Sequence, residues 1–227
     1  MPKKRSITFR ELADNERPLT KFGGQPSWVA EPQWPIGKEL GKPMRFLCQI
    51  ELADDLFPEA SGKVAYIFMT DDEEYVDGTW EPFGGENAVI IQPGGKTDIP
   101  CKPLATGPTL QNYVNVEGFD RLQPRDVEFG LSFVDGEDPH FVSEFDRIDS
   151  SEEEGKMYRS IINGNKIGGT PGFLQGDEFP DETHDWRLLL QLDSCAQPFS
   201  VNFGDSGIAY AFVTPDGTEG RFLWQCC

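Results

Sequence analysis

A short pattern occurs twice in this chain, in the same order and at similar spacing, and this repeat constrains the fold more than any other feature. Each copy opens with the turn K-x-G-G-x-P, at residues 21–26 and again at 166–171. An apolar stretch that carries one arginine and one glutamine follows, MRFLCQIEL at 44–52 and WRLLLQLDS at 186–194. Because a repeated order of motifs indicates repeated structure, we expect two equivalent units.

A third shared segment extends the repeat. AYIFMT at 65–70 and AYAFVT at 209–214 have the same Ala, Tyr, Phe and Thr, and a Ser-Gly pair precedes each segment. We place the two halves at about 18–95 and 160–227, joined by residues 96–159, which lack the pattern. Each half alone buries too little apolar surface to be stable. We therefore expect one shared core in a single domain that spans all 227 residues.

Local patterns predict strands in both copies. In the first copy, Phe46, Cys48 and Ile50 alternate with Arg45 and Gln49, and this period of two is typical of a half-buried strand. The A-Y-x-F-x-T segments are apolar almost throughout, which indicates central strands. The chain also has 24 Gly and 18 Pro residues, which favour turns. We predict a mainly β fold with few helices, in which an internally duplicated β unit forms a roll-like, pseudo-twofold core.

Two segments in or beside the joining segment have helical spacing. Residues 139–148 follow Asp138, a residue type that caps helices, and begin with proline, which is favoured in the first turn. Residues 151–162 begin with a capping box formed by Ser151 and Glu154. We expect a helix at each segment. The expected apolar face of the second comprises Met157, Tyr158, Ile161 and Ile162.

The charge balance limits the classes of partner. The chain has 20 basic and 39 acidic side chains, and its formal net charge is −19 at pH 7. A surface that binds phosphate groups needs the opposite balance, so we exclude nucleic acid as a default partner. An acidic surface suits a basic protein or peptide through electrostatic complementarity. The sequence leaves the oligomeric state open.

Targeting signals and cysteines indicate the compartment. No apolar run follows the charged first ten residues, so we identify no signal peptide. Strongly apolar runs such as Leu188–Leu190 are far shorter than a membrane span, and we expect no membrane partner. Five cysteines without a C-x-x-C pair argue against a disulfide framework and a structural zinc site. We expect a reducing, cytoplasmic location, with Cys48 buried and Cys226 or Cys227 exposed.

The repeated motifs resemble those of a known family. Residues 21–52 contain K-F-G-G-x-P-x-W, then W-P, then G-K-P-M-x-F-L-x-Q-I-x-L, and residues 166–226 contain K-I-G-G-x-P, L-L-L-Q-L-D-S, G-D-S-G and W-Q-C. This combination resembles the YwqG-like proteins, an uncharacterised bacterial family whose members sometimes occur near toxin and immunity genes. The resemblance implies a mainly β, duplicated, roll-like core and a soluble intracellular location, and it implies no established reaction.

Motifs for catalysis and metal binding are weak. The G-D-S-G at 204–207 resembles a serine-protease motif, but a Ser-Gly pair at 61–62 precedes the matching strand of the first copy, so we interpret both as turns. The acidic clusters lack the spacing of a calcium-binding loop and are better interpreted as solvated surface. His140 and His184 are the two histidines of the chain and have no ligand spacing. We therefore assign no catalytic residue, metal ligand or cofactor.

The repeat supplies the candidate site residues. A groove between pseudo-symmetric halves, lined by arginine and glutamine, suits a peptide or a small anion. The candidate binding residues are Lys21, Arg45, Gln49, Lys166, Arg187 and Gln191. The candidate structural turn residues are Gly23, Gly24, Pro26, Gly168, Gly169, Pro171 and Gly207. We favour a structural interpretation of the glutamines, in which each bonds the backbone of its own turn.

Two classes of function are compatible with these features. We favour a non-enzymatic binding or interaction protein with an acidic surface, of which an immunity-like or regulatory role is one version. The alternative is a hydrolase that uses carboxylates or a bound divalent ion in the groove between the halves. A salt-sensitive association with a basic protein would favour the first class, and a metal-dependent melting shift would favour the second.

Overall fold

The described part of the chain is mainly β with one helix, as the sequence predicts. The computed structural model describes residues 1–72, 76–115, 122–148 and 151–227. The strands are β1 (Lys3–Arg10), β2 (Lys21–Gly23), β3 (Trp34–Pro35), β4 (Arg45–Glu51), β5 (Val64–Met69), β6 (Asn87–Gln92), β7 (Cys101–Lys102), β8 (Gln111–Val114), β9 (Gln123–Asp126), β10 (Glu128–Glu137), β11 (Lys166–Gly168), β12 (Arg187–Asp193), β13 (Ile208–Val213) and β14 (Gly220–Gln225). The helix α1 spans Glu152–Ile162, and a 3-10 turn spans Pro58–Ala60.

Ten strands form one antiparallel sheet with the order β14-β13-β12-β11-β1-β10-β2-β4-β5-β6. β1 and β10 lie at its centre, and each side continues in chain order from the centre to the edge. We call β2, β4, β5 and β6 the first flank, and β11, β12, β13 and β14 the second flank. Because β10 belongs to the joining segment, that segment supplies a central strand of the sheet. The pairs β3–β7 and β8–β9 form two small separate sheets.

The two flanks pair their strands in matching register. Lys21 lies opposite Gln49 in the first flank, and Lys166 lies opposite Gln191 in the second. β4 and β12 each contain a register shift two residues before this glutamine. The two arginine- and glutamine-bearing segments of the repeat are both strands, as predicted. A full superposition of the halves, as internal duplication requires, stays a prediction.

The sheet curls until its two edge strands lie against each other. A Cβ atom on Gly220 of β14 would lie 2.5 Å from the side chain of Val89 in β6, so the close approach requires glycine. The curled sheet encloses an apolar cluster that draws side chains from both flanks. Its fully buried members include Phe22, Cys48, Ile50, Ile67, Leu189, Ala209, Ala211 and Val213.

Each flank also buries its outer face beneath aromatic side chains. Trp28 packs over Phe68 of the first flank, with ring centroids 6.1 Å apart. Phe173 and Phe179 pack over Phe212 of the second flank, at 6.3 and 5.6 Å. Trp28 and Phe173 each stand two residues after the proline of a K-x-G-G-x-P turn, so the turn positions an aromatic cover. Burial on both faces explains why these strands are apolar almost throughout.

The expected helix at 139–148 is wrong. That segment contains no helix, and residues 144–148 form turns. Asp138, the expected cap, instead accepts a hydrogen bond from Lys166 Nζ at 2.7 Å. Ser143 Oγ donates to the carboxylate of Asp146 at 2.6 Å, and such local side-chain bonds compete with helix formation.

The expected helix at 151–162 is confirmed. Its capping box is present, because the Glu154 N–H donates to Ser151 Oγ at 3.3 Å and the Ser151 N–H donates to Glu154 Oε2 at 2.9 Å. The expected apolar face is only partly buried: Ile162 is buried, whereas Met157 and Ile161 are exposed. Within the described ranges, no helix has the length and apolar character needed to cross a membrane.

We expect the cysteines to react according to their burial. Cys48 is fully buried, and burial raises the pKa of its thiol well above the usual value, so little reactive thiolate forms at neutral pH. Burial likewise raises the pKa of Cys101 to about 11, whereas Cys195 and Cys227 are exposed. A maleimide should label Cys195 and Cys227 in the native protein and Cys48 only after unfolding, as measured by mass spectrometry of the digest. Fast native labelling of Cys48 would contradict this burial.

Candidate functional site

The two glutamines of the repeat bond backbone atoms at their own turns. Gln49 is fully buried, and its Oε1 accepts from the Ser27 N–H at 2.7 Å while its Nε2 donates to a backbone carbonyl at 2.8 Å. Gln191 Oε1 accepts from the Gly172 N–H at 2.8 Å, and its Nε2 donates to the Gly164 carbonyl at 3.0 Å. Ser27 and Gly172 each directly follow the proline of a K-x-G-G-x-P turn. The contacts therefore favour the structural interpretation.

Both turn lysines are buried and close their own turns. Lys21 Nζ donates to the Gln25 carbonyl at 2.7 Å. Lys166 Nζ donates to the Thr170 carbonyl, also four residues along the chain, at 2.6 Å. The two ammonium groups therefore point into the protein and hold the turns, which leaves them poorly placed to meet a ligand from solvent.

The carboxylates that face these lysines come from the two ends of β10. Glu128, its first residue, lies 2.6 Å from Lys21 Nζ, and Asp138, just after its last residue, lies 2.7 Å from Lys166 Nζ. Asp138 also lies 2.5 Å from Nζ of Lys4 in β1. Sequence analysis missed both carboxylates, because they lie outside the repeat and 107 and 28 residues separate the partners. The sequence carries no local signal for either pairing, because the repeat pattern predicts no strand at 128–137.

The second of these ion pairs is the more deeply buried. The side chains of Lys166 and Asp138 are 1% and 0% exposed, whereas Glu128 in the first pair is 39% exposed. Desolvation lowers the pKa of Lys166 to about 8, and the hydrogen bond with Asp138 opposes that fall. The Thr170 N–H also donates to Asp138, at 3.0 Å. We call Lys4, Asp138 and Lys166 the buried ion cluster.

Four of the predicted turn glycines have left-handed backbone conformations, and two of these, Gly23 and Gly168, end the strands β2 and β11. The φ angles of Gly23, Gly24, Gly168 and Gly169 lie between 63° and 82°. That left-handed region favours glycine. Gly207 is required for another reason, since a Cβ atom there would lie 1.7 Å from the Phe203 carbonyl oxygen. Ser206, the serine of the G-D-S-G motif, has a φ of 50°, as expected of a turn residue.

The two arginines of the repeat line different cavities. Arg45, at the start of β4, pairs with Asp71 and lines a polar cavity of about 420 Å³ with residues between 194 and 202 of the other half. Desolvation raises the pKa of Asp71, against the pull of Arg45. Arg187, at the start of β12, pairs with Glu59 at 2.8 Å and lines a cavity of about 370 Å³. The six candidate binding residues therefore do not form one groove.

The cavity at Arg187 does unite some predicted site residues, and we call it the Arg187 pocket. Gly168, Gly169 and Pro171 of the second turn lie in its wall with Arg187. Phe57, from the loop after β4, supplies part of the opposite wall. The pocket therefore lies between the two halves, as the groove hypothesis expects, although it excludes both glutamines.

A third cavity, of about 580 Å³, lies between α1 and the segments 141–148 and 171–177. We call it the α1 groove. Its apolar lining includes Phe141, Ile148, Ile162, Phe173 and Leu174, and its charged lining comprises Glu144, Arg147, Glu152, Arg159 and Asp177. Ile148 is 71% exposed, and the neighbouring Phe145 is 80% exposed. Exposed apolar side chains grouped in this way are typical of an interaction surface.

Comparison with protein families places the chain in one of them. A family model described as a domain of unknown function (DUF1963) matches residues 20–221. The chain belongs to the DUF1963 family. The DUF1963 match includes both K-x-G-G-x-P turns and the strand β10 between them. It also includes the lining of all three cavities described above, except Pro2 and Lys3 of the Arg187 pocket. No curated protein matches the sequence.

We looked in the described residues of this DUF1963 protein for a metal-ligand cluster and for partners of the G-D-S-G serine and of His184. They contain no group of three or more His, Cys, Asp or Glu side chains arranged to hold a metal ion. His184 Nδ1 lies 3.1 Å from Asp181, and Ser206 Oγ donates to Asp205 at 3.4 Å, so each bonds within its own loop.

We expect Gln49→Leu and Gln191→Leu each to lower the free energy of unfolding by roughly 1–3 kcal/mol, because each substitution leaves buried backbone groups without a hydrogen-bond partner. Gln175→Leu is the control, since Gln175 is exposed and its loss should change stability by less than about 0.5 kcal/mol. Urea denaturation followed by tryptophan fluorescence measures all three variants. Native stability of the Gln49 and Gln191 variants would instead favour a binding role for this pair.

We expect Asp138→Asn to destabilise the protein by about 3–5 kcal/mol, because it leaves the buried ammonium of Lys166 without a carboxylate. Glu128→Gln is the matched control at the other end of β10. Since Glu128 is 39% exposed, water screens that pair, and its loss should cost less than about 1 kcal/mol. Urea denaturation measures both, and equal losses would contradict the difference in burial.

Proposed function

We propose that this protein is a non-enzymatic binding protein whose partner is a basic protein or peptide. The net charge of −19 supports this, because an acidic surface attracts cationic partners and speeds their association. The proposal includes membership of the YwqG-like bacterial proteins, a cytoplasmic location, and an immunity-like or regulatory role as one version. The hydrolase alternative has no specific support from the cavities, and a rise in melting temperature on adding Mg²⁺ or Ca²⁺ would favour it.

The α1 groove carries this proposal. Its lining combines apolar side chains with the carboxylates of Glu144, Glu152 and Asp177. A basic amphipathic segment fits such a surface, because its apolar face buries the exposed side chains while its ammonium groups meet carboxylates. The exposed Ile148 is the single most informative residue, since it lines the groove and remains 71% exposed without a partner.

Two basic side chains, Arg147 and Arg159, line the groove with three carboxylates, so the lining keeps one net negative charge. Arg147 lies 3.6 Å from Asp177 and 5.1 Å above the ring centroid of Tyr158, so it is held within the protein. Lys156 lies outside the lining and pairs with Glu152 at 2.5 Å, but both side chains are mostly exposed. Exposed pairs of this kind contribute at most about 1 kcal/mol, so a partner's ammonium group can replace Lys156.

We expect a fluorescein-labelled amphipathic helix of Lys and Leu to bind this protein in an anisotropy titration, and a Glu-and-Leu peptide of equal length not to bind. Raising the salt concentration should slow association of the Lys-and-Leu peptide. The double variant I148S/L174S removes two exposed apolar side chains of the groove, so its affinity should fall about tenfold. Val134→Ser is the control, because Val134 is 70% exposed on β10, outside the groove. Equal binding of the two peptides would contradict the proposed function.

A further inference from the structure

The Arg187 pocket differs in charge from the rest of the protein. The ionisable side chains that line it are Lys3, His140 and Arg187, which are all basic. The chain as a whole has 39 acidic and 20 basic side chains, so a cavity without an acidic lining residue departs from its surroundings. The α1 groove and the cavity at Arg45 both include carboxylates in their linings.

The buried ion cluster lies beneath the wall of the pocket. Gly169 and Thr170 separate the cavity from the cluster, and a Cβ atom on Gly169 would lie 2.4 Å from Asp138 Oδ2. The cluster contains two ammonium groups, of Lys4 and Lys166, and one carboxylate. Where both lysines are protonated, the cluster carries one net positive charge directly below the turn. The atom of the cluster nearest to Gly169 is a carboxylate oxygen, so the attraction for an anion comes from Lys3 and Arg187, which line the cavity itself.

The rest of the pocket lining is largely apolar and includes four aromatic side chains. Phe57 and Trp186 are 2% and 7% exposed, and Phe141 and Phe179 pack edge to face with ring centroids 5.2 Å apart. The volume of about 370 Å³ lies within the range of small-ligand sites. A ligand here must therefore offer both apolar surface and negative charge.

We propose that the Arg187 pocket binds an organic anion, namely a carboxylate carried on an aromatic or aliphatic body. The apolar body lies against Phe57, Phe179 and Trp186, and the carboxylate accepts hydrogen bonds from the guanidinium of Arg187. Arginine suits this role because its planar fork matches the two carboxylate oxygens. Phe141 and Pro171 line both this pocket and the α1 groove, but the anion proposed here does not require the basic partner proposed for the groove.

Glu59 competes with the ligand for Arg187. Its carboxylate lies 2.8 Å from Arg187 Nη2 and is 57% exposed, at the rim of the pocket and outside its lining. Exposed ion pairs are weak, so a carboxylate that also buries an apolar body can displace Glu59. The structure therefore predicts opposite effects for two neighbouring substitutions: loss of Arg187 weakens binding, and loss of the Glu59 charge strengthens it.

Two sources supply this chemistry, a small free carboxylic acid and the C-terminal carboxylate of a peptide that ends in an apolar residue. The experiment titrates the full chain with 3-phenylpropanoate by calorimetry and follows the indole N–H of Trp186 by NMR. The uncharged 3-phenylpropanamide is the matched ligand control. Acetyl-Gly-Gly-Phe with a free or an amidated C-terminus forms the peptide arm, and tighter binding of the free peptide than of 3-phenylpropanoate identifies the peptide source.

We expect 3-phenylpropanoate to bind at least about tenfold more tightly than its amide. Arg187→Gln should weaken binding about tenfold, Arg187→Lys should weaken it less, and Glu59→Gln should strengthen it several-fold. Arg221→Gln is the matched control, because Arg221 also lies beside an aromatic ring, at 4.7 Å from Phe83, and pairs with Asp98 outside the pocket.

Three results would overturn the proposal. They are equal binding of the acid and the amide, unchanged binding by an Arg187→Gln variant that melts like the wild type, and no binding of either acid at about 10 mM. None of these results bears on the Lys-and-Leu peptide, so failure here and failure of the proposed function are distinguishable.

Discussion

A buried lysine is costly unless a carboxylate accompanies it, and this requirement joins the two flanks of the sheet to its centre. Lys21 and Lys166 occupy equivalent turns, one in each flank, and both find their carboxylates at the ends of the same strand, β10. Without β10, two buried ammonium groups would lose their partners. The segment between the halves contains none of the repeated motifs, yet it supplies both carboxylates, and the fully buried Lys166–Asp138 pair depends on it more than the partly exposed Lys21–Glu128 pair does.

Features that depend on local sequence were predictable, and features that depend on distant partners were not. Alternation of polar and apolar residues located β4 and β12 within a residue or two, because that alternation directly reflects burial. The capping box located the start of α1 because its two hydrogen bonds join Ser151 and Glu154, which are only three residues apart. Asp138 before a proline has the local signature of a helix cap, yet its carboxylate is held by Lys166, 28 residues away. A pattern confined to neighbouring residues carries no information about that bond.

The candidate site was predictable only to the extent that the repeat determines it. The repeat places Arg45 and Arg187 at equivalent strand positions, and the structure confirms that placement. The surroundings of the two arginines nevertheless differ: a desolvated carboxylate, Asp71, lies beside Arg45, whereas Phe179 and Trp186 line the pocket at Arg187. Equivalent backbones thus present the same cation to two different environments. The α1 groove had no signal at all, since the exposure of Ile148 depends on tertiary packing.

The acidic groove and the basic pocket lie side by side on one molecule, and salt, which screens exposed charges over about 8–10 Å, only partly weakens the influence of each on the other. The two cavities also adjoin, since Phe141 and Pro171 lie in the linings of both. A peptide with basic side chains and a free, apolar C-terminal residue would contact both cavities at once, and binding at either would raise its effective concentration at the other. A small carboxylic acid reaches the Arg187 pocket alone. The ratio of the affinity of such a peptide to that of a small carboxylic acid therefore measures how much the groove contributes to binding.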